Sequence, residues 1–262
     1  MNNQDNILKV ALIQYDVEWE STKSNINTIE KMFDNEVVDF HLILLPEMFN
    51  SGFSMNPSKI AETMQGETVS WMIETSAKYQ STIAGSVAIK ENGQYFNRFL
   101  AVYPDGKIEK YDKRHLFRMS GEEKVYSEGK KQVTANINGW QCALFVCYDI
   151  RFPVWTRNQN NYDLALYVAN WPQSRIDVWK TLLKARALEN QCYVAGINRV
   201  GKSEEAEYNG QSLIFDYKGA IIGSLQDNKE GIIKIELSLN NLNDFRKKFP
   251  AWMDADNFSI LS

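Results

Sequence analysis

Trp140-Gln141-Cys142-Ala143-Leu144-Phe145-Val146-Cys147-Tyr148-Asp149-Ile150-Arg151-Phe152-Pro153 reads as an apolar strand running into a tight turn. Pro153, with its fixed φ, is placed for the first turn of a short helix. Working outward, residues 162–169 (Tyr-Asp-Leu-Ala-Leu-Tyr-Val-Ala) repeat the strand pattern. Residues 174–190 then set Ile176, Trp179, Leu182, Leu183 and Ala187 on one helical face, and 193–200 return to strand. On the N-terminal side, 7–15 and 41–45 are short apolar runs separated by a helical pattern over 21–36 that carries Ile26, Ile29, Met32 and Phe33. A helix is expected over 67–80 and a strand over 82–90, followed by the turn Glu91-Asn92-Gly93 and strands at 95–103 and 107–112. The stretch between 112 and 140 is rich in Gly, Ser and charge and reads as loop. A hairpin around Asp216-Tyr217-Lys218-Gly219 and a strand at 231–237 complete the pattern.

Strands alternating with helices, with hairpins interspersed, predict a layered α/β fold with mixed sheets. No low-complexity linker or internal repeat divides the chain, so one domain over residues 7–240 is expected, with 241–262 as a tail. The tail's Phe249-Pro250-Ala251-Trp252 is too apolar for a simply solvated segment, so it is expected to pack on the body or on a second subunit.

The chain has 262 residues, 44% of them hydrophobic, which is enough to build a substantial core. Its 33 acidic and 29 basic residues nearly balance, which argues against nucleic acid or a membrane surface as a partner. The N-terminal Met1-Asn2-Asn3-Gln4-Asp5-Asn6 lacks the basic start and apolar run of a signal peptide, and a soluble, cytoplasmic protein is expected. Three cysteines, Cys142, Cys147 and Cys192, form neither an even disulfide set nor a close pair of metal-binding type. Two distant histidines and no acidic cluster give a metalloenzyme little support, and no cofactor is expected.

Glu47, Lys113 and Cys147 stand at or just beyond the ends of apolar strands, where layered α/β sheets assemble their sites. Cys147 sits where a strand turns sharply, much as the serine of a nucleophile elbow does. A free thiol is mostly protonated at neutral pH and needs a base or a positive field; Glu47 can be the base and Lys113 the field. Each residue also has an ordinary reading. A strand-end cysteine is commonly core, Glu47 could cap a turn, and Lys113 could be a surface cation.

The three residues lie inside longer stretches: Leu44-Leu45-Pro46-Glu47-Met48-Phe49, Tyr111-Asp112-Lys113-Arg114-His115-Leu116-Phe117, and Phe145-Val146-Cys147-Tyr148-Asp149-Ile150-Arg151-Phe152-Pro153. In order and spacing these resemble the three signature segments of the nitrilase, or carbon–nitrogen hydrolase, superfamily. Three further stretches are similar to its omega-amidase branch: Leu116-Phe117-Arg118-Met119-Ser120-Gly121-Glu122, Tyr167-Val168-Ala169-Asn170-Trp171-Pro172 and Lys248-Phe249-Pro250-Ala251-Trp252. The resemblance implies a four-layer α-β-β-α sandwich, a homodimer, and a small-molecule amide substrate of the 2-oxo dicarboxylic monoamide class. It implies Cys147 as nucleophile, Glu47 as base and Lys113, with the Tyr148 backbone N–H, as oxyanion stabiliser. It also implies a second pocket glutamate, for which Glu122, Glu123 and Glu128 compete. Aligning Ser127-Glu128-Gly129 with the turn that follows in the family favours Glu122 and leaves Glu128 where the branch often has proline. A nitrilase, an aliphatic amidase or an N-carbamoyl-amine hydrolase would use the same catalytic residues, whereas a non-catalytic scaffold would have no physical reason to keep them.

Phe117, Tyr148 and Trp171 are candidate substrate-binding walls. His115, two residues past Lys113, is a rival base on the expectation that the strand continues and points both side chains the same way. His41 is expected to be a hydrogen-bonded interior histidine, Cys142 and Cys192 to be core, and Arg186 with Glu189 to be a structural ion pair.

Overall fold

Alternation along the first strand already sorts the molecule into layers. In the computed structural model, which describes residues 6–33, 39–159 and 161–260, strand β1 (Ile7–Gln14) sends Leu8, Val10 and Leu12 into one apolar cluster and Ala11 and Ile13 into another. Helix α1 (Thr22–Phe33) follows, residues 34–36 of the expected 21–36 segment lying outside the described residues. Next come β2 (Leu42–Leu44), α2 (Pro57–Ile60), α3 (Glu67–Tyr79) and the antiparallel run β3 (Thr82–Glu91), β4 (Gln94–Val102) and β5 (Ile108–Asp112). Period-2 alternation is what allows one strand to serve two cores.

The second half begins with α4 (Glu122–Val125), β6 (Thr134–Ile137), β7 (Trp140–Val146) and β8 (Leu164–Val168), followed by α5 (Ile176–Asn190) and β9 (Tyr193–Ile197). A hairpin of β10 (Val200–Lys202) and β11 (Glu207–Asn209), then β12 (Leu213–Phe215) and β13 (Ile221–Ser224), lead to β14 (Gly231–Ser238) and α6 (Leu239–Lys248).

Two six-stranded sheets result, ordered β14-β1-β2-β3-β4-β5 and β13-β12-β9-β8-β7-β6. Each has three parallel strands at its centre, β1-β2-β3 in one and β7-β8-β9 in the other, with antiparallel strands outside them. The sheets face each other across a core in which Leu12 and Leu44 of the first join Leu144 and Leu166 of the second. On the far side of the first sheet, Ile26, Ile29 and Phe33 of α1 and Val69, Trp71 and Met72 of α3 pack against Ile43, Leu45 and Ile83. On the far side of the second, α5 lies so close to β9 that a Cβ on Gly196 would stand 2.6 Å from Leu183. The expected α-β-β-α sandwich is the observed fold. Among the described residues, no helix is long and apolar enough to cross a membrane.

Three local readings change. The 112–140 stretch holds β6, whose short Thr-Ala-Asn-Ile sequence alternates too briefly to stand out from the surrounding loop. No helix begins at Pro153. A 3₁₀ turn instead occupies Cys147–Arg151, because Asp149 accepts a hydrogen bond from the Val146 amide (3.0 Å) and closes the turn directly on the strand end. The expected strand at 193–200 divides into β9 and β10 around Asn198 and Arg199. α6 straddles residue 241, and its Arg246 fixes it to the body through Asp163 (2.9 Å) and the backbone carbonyls of Tyr162 (2.8 Å) and Gln191 (2.9 Å).

Candidate active site

The central strands β2, β7 and β8 and the edge strand β5 end at the same side of the molecule, and the residues just past their C-terminal ends meet there. Glu47 follows β2, Lys113 follows β5, Cys147 follows β7 and Asn170 follows β8. Both turn residues that shape the site have left-handed backbone conformations unusual for non-glycine side chains: Met48 has φ 43° and Cys147 φ 43°. Met48 is held by its amide donating to the Ser86 hydroxyl at 2.9 Å. Lys113 is held by its own amide on the Asn97 carbonyl (3.0 Å) and by its carbonyl, which accepts from the Gly129 amide (2.9 Å). Only glycine fits at 129, since a Cβ there would lie 2.0 Å from the Asp112 carbonyl oxygen.

Glu47, Lys113 and Glu122 are all fully buried. The Lys113 ammonium donates to Glu47 Oε1 at 3.0 Å and to Glu122 Oε1 and Oε2 at 3.0 and 2.9 Å, with the Phe53 ring 4.9 Å away. Burial works against the charged amine, but the carboxylates of Glu122 and Glu47 outweigh it, and the Lys113 pKa is raised. Glu122 is itself shifted up, by burial first and by Glu47, against the pull of Lys113; it also accepts the Phe117 amide at 2.6 Å. Of the three competing glutamates, Glu122 alone reaches Lys113. Glu128 is exposed and pairs with Arg114 (3.1 Å), and Glu123 lies in a separate surface cleft.

Cys147 lines a cavity of about 170 Å³ together with Lys113, Phe117, Tyr148, Asn170 and Trp171. Burial first, then the Glu47 charge, push its thiol pKa well up, more than Lys113 draws it down. The resting group is therefore the thiol, and a base must take its proton as the sulfur attacks. Glu47 is the carboxylate whose charge acts on it most strongly.

Two site residues were not singled out by the sequence reading. Asn97 donates to Glu47 Oε1 (2.8 Å) and to Glu122 Oε1 (3.3 Å), and the Asn170 backbone amide donates to Glu47 Oε2 (2.9 Å). Asn170 Nδ2 further binds the Glu47 backbone carbonyl at 2.6 Å, tying the second sheet to the first. The available signal for Asn97 is an amide next to Arg98 in a strand whose other residues past Gln94 are aromatic or aliphatic.

The candidate walls Phe117, Tyr148 and Trp171 all line the cavity, with Phe117 and Tyr148 edge to face at 5.1 Å. His115 does not join them. β5 stops at Asp112, so the expected same-side geometry is lost; the ring stacks on Phe152 at 3.7 Å and its Nδ1 lies 2.8 Å from Asp149. His41 precedes β2 and is half-buried, accepting the Lys9 amide at 3.1 Å. Cys142 and Cys192 are buried, and burial raises both thiols, Cys192 to about 12. Arg186 pairs with Glu189 at 2.6 Å, as expected, and also grips the Ile150 carbonyl through Nε (3.0 Å) and Nη2 (2.6 Å), bracing the Cys147 turn.

An α-β-β-α sandwich with a glutamate, a lysine and a cysteine gathered over its parallel strands defines the class of thiol-bearing carbon–nitrogen hydrolases. The family model described as carbon-nitrogen hydrolase matches residues 9–247, and the chain belongs to that family. It is 44% identical over 255 residues to the omega-amidase YafV of Yersinia enterocolitica, covering 97% of this chain and 99% of that one. It is 32% identical to the 2-oxoglutaramate amidase of Bacillus subtilis, covering 94% and 96% of the two chains. A crystal structure of a CN-hydrolase superfamily protein from Xanthomonas campestris superposes with a TM-score of 0.94 at 37% identity, covering 97% of this chain and 99% of the other.

Proposed function

We propose that the protein is an amidohydrolase of omega-amidase type, releasing ammonia from the terminal amide of small 2-oxo dicarboxylic acid monoamides such as 2-oxoglutaramate and 2-oxosuccinamate. The observation that carries the chemistry is the Lys113 ammonium bound by both Glu47 and Glu122 in the cavity that the Cys147 thiol lines. The near full-length similarity to omega-amidase YafV and to a 2-oxoglutaramate amidase supports the substrate class.

In this reading Glu47 takes the thiol proton as Cys147 sulfur bonds to the amide carbon. The carbonyl oxygen becomes an oxyanion facing Lys113 and the Tyr148 backbone N–H. Collapse breaks the C–N bond, and Glu47 passes its proton to the nitrogen, which leaves as ammonia. Water then adds to the thioester as Glu47 takes one of its protons, and the carboxylate product departs while the sulfur is reprotonated. Glu122 holds Lys113 in place and keeps it charged. Loss of one oxyanion donor costs ~10²–10³ in rate.

Offering the purified protein 2-oxoglutaramate, 2-oxosuccinamate, aliphatic amides, nitriles and N-carbamoyl amines, and assaying ammonia, tests the reading. Turnover is expected to be greatest with the 2-oxo monoamides, and a covalent acyl adduct on Cys147 should appear by mass spectrometry. Turnover that survives Cys147→Ala would sink the mechanism; a preference for nitriles or carbamoyl amines would move the substrate class.

A further inference from the structure

The arginines of this protein divide into two groups. Apart from the exposed Arg118, nearly all hold an oxygen with the guanidinium: Arg98 binds Asp112 and Glu91, Arg114 binds Glu128, Arg157 the Glu189 carbonyl, Arg186 Glu189 and the Ile150 carbonyl, Arg199 Asp16, and Arg246 Asp163. Arg151 and Arg175 are the exceptions. Both are half-buried, both line the Cys147 cavity, and among the described residues neither guanidinium has an oxygen partner. Among the described residues, the partners of the two guanidiniums are aromatic faces. Arg151 Cζ lies 5.2 Å from the Trp171 ring centroid and 5.9 Å from that of Tyr148, and Arg175 Cζ lies 5.3 Å from that of Phe117.

An aromatic face attracts a cation but accepts none of the guanidinium's five N–H groups in the plane where a carboxylate would. A partly desolvated guanidinium left in that condition is costly, and a planar oxyanion that can take two parallel N–H bonds relieves the cost. Lys113 cannot supply this service, because Glu47 and Glu122 already neutralise it. The cavity thus has a charge-satisfied reacting end and a cationic end with unmet donors.

We infer that Arg151 and Arg175 form an anion subsite that holds the carboxylate of the substrate, with the amide presented to Cys147. This rests on the omega-amidase reading and deepens it, since it assigns the residues that separate a 2-oxo acid monoamide from an uncharged amide of the same length. Phe117, Tyr148 and Trp171 then act as a platform that aims the two guanidiniums. Glu205, exposed on the β10–β11 hairpin at the same mouth, opposes the incoming anion.

The test compares kcat/KM for 2-oxoglutaramate with that for pentanamide, in wild type, Arg151→Gln, Arg175→Gln, Arg175→Lys and Glu205→Gln. The ratio of the two values is expected to fall about 10²-fold in each Gln variant of the arginines, chiefly through KM, as removal of one partner of a desolvated charge pair does. Arg175→Lys should recover part of the ratio, and Glu205→Gln should raise it a few-fold. Cys147→Ala protein should bind 2-oxoglutarate by calorimetry, weakening with salt and with a second Arg175→Gln change. A ratio that moves less than about threefold, or equal losses on both substrates, overturns the subsite while leaving the omega-amidase reading intact. If wild type releases no ammonia from 2-oxoglutaramate, that reading fails, and the subsite stands or falls on whether 2-oxoglutarate binding to the Cys147→Ala protein depends on Arg151 and Arg175.

Discussion

Glu47 has two opposed effects on Cys147. Its charge holds the thiol protonated, yet in the proposed reaction it is also the group that accepts the proton during attack. Replacing it separates the two. In Glu47→Gln the negative neighbour is gone, so the thiol pKa falls toward what Lys113 dictates and, at a fixed pH, the thiolate fraction rises. Alkylation by iodoacetamide, which needs only the thiolate, should therefore speed up while amide turnover drops ~10²–10⁴-fold. Slower alkylation together with lost turnover would show that Glu47 is not what holds the proton on sulfur. Glu47 and Cys147 were legible because each is a polar residue closing an apolar run inside a recognisable segment, and Lys113 because of its segment alone, since the strand before it carries Glu109, Lys110 and Asp112. Asn97 and Asn170 were not, because their place depends on two strands from different sheets converging on one carboxylate, which no local pattern encodes. That Arg151 and Arg175 line one cavity was hidden too, because the segments after β7 and β8 that carry them come together only in the folded sheet.

Between residue and fold lies the short turn that joins the nucleophile to the lysine. Buried Asp149 accepts from the Val146 amide (3.0 Å), the Tyr111 hydroxyl (2.7 Å), the His115 amide (3.0 Å) and lies 2.8 Å from His115 Nδ1. It therefore couples the Cys147 turn to the segment carrying Lys113. Asp149→Asn replaces one acceptor oxygen with a donor facing donors, and is expected to cost about 2–4 kcal/mol of stability in urea unfolding and to lower kcat by 10-fold or more. Unchanged stability with unchanged kcat would remove the coupling. This turn also shows why some elements escaped the sequence. The apolar runs that became β1, β2, β7 and β8 announce themselves by composition, and α5 by its periodicity. The 3₁₀ turn at Cys147–Arg151 is fixed by one side chain bonding to a backbone amide, and it displaced the helix that Pro153 suggested. His115 changed role because β5 ended earlier than a continued alternation requires.

For the whole molecule, a layered α/β fold with mixed sheets followed from strand–helix order and the four-layer sandwich from the family resemblance, whereas how the C-terminal segment attaches followed from neither. Apolar composition pointed to packing, and Leu242 is indeed buried in the core, but polar bonds share the attachment. Arg246 bonds Asp163 and the carbonyls of Tyr162 and Gln191, while Gln191 reaches the Phe249 carbonyl (2.8 Å), and the Phe245 ring lies 4.8 Å from that of Tyr217. These contacts lie where the chain enters β8 and β9, at the end of those strands opposite Asn170 and the cavity. A hydrogen bond to a charged group is worth about 1.5–3 kcal/mol, less where solvent shares it, so Arg246→Ala is expected to lower stability by roughly 2–3 kcal/mol, and Tm by several degrees for a chain of this size. Because the change is confined to the far end of the second sheet, kcat/KM on the preferred amide at 25 °C should stay within about twofold of wild type. Scanning calorimetry alongside the ammonia assay reads both, and a Tm within a degree of wild type would mean that the segment's apolar contacts, not Arg246, hold it.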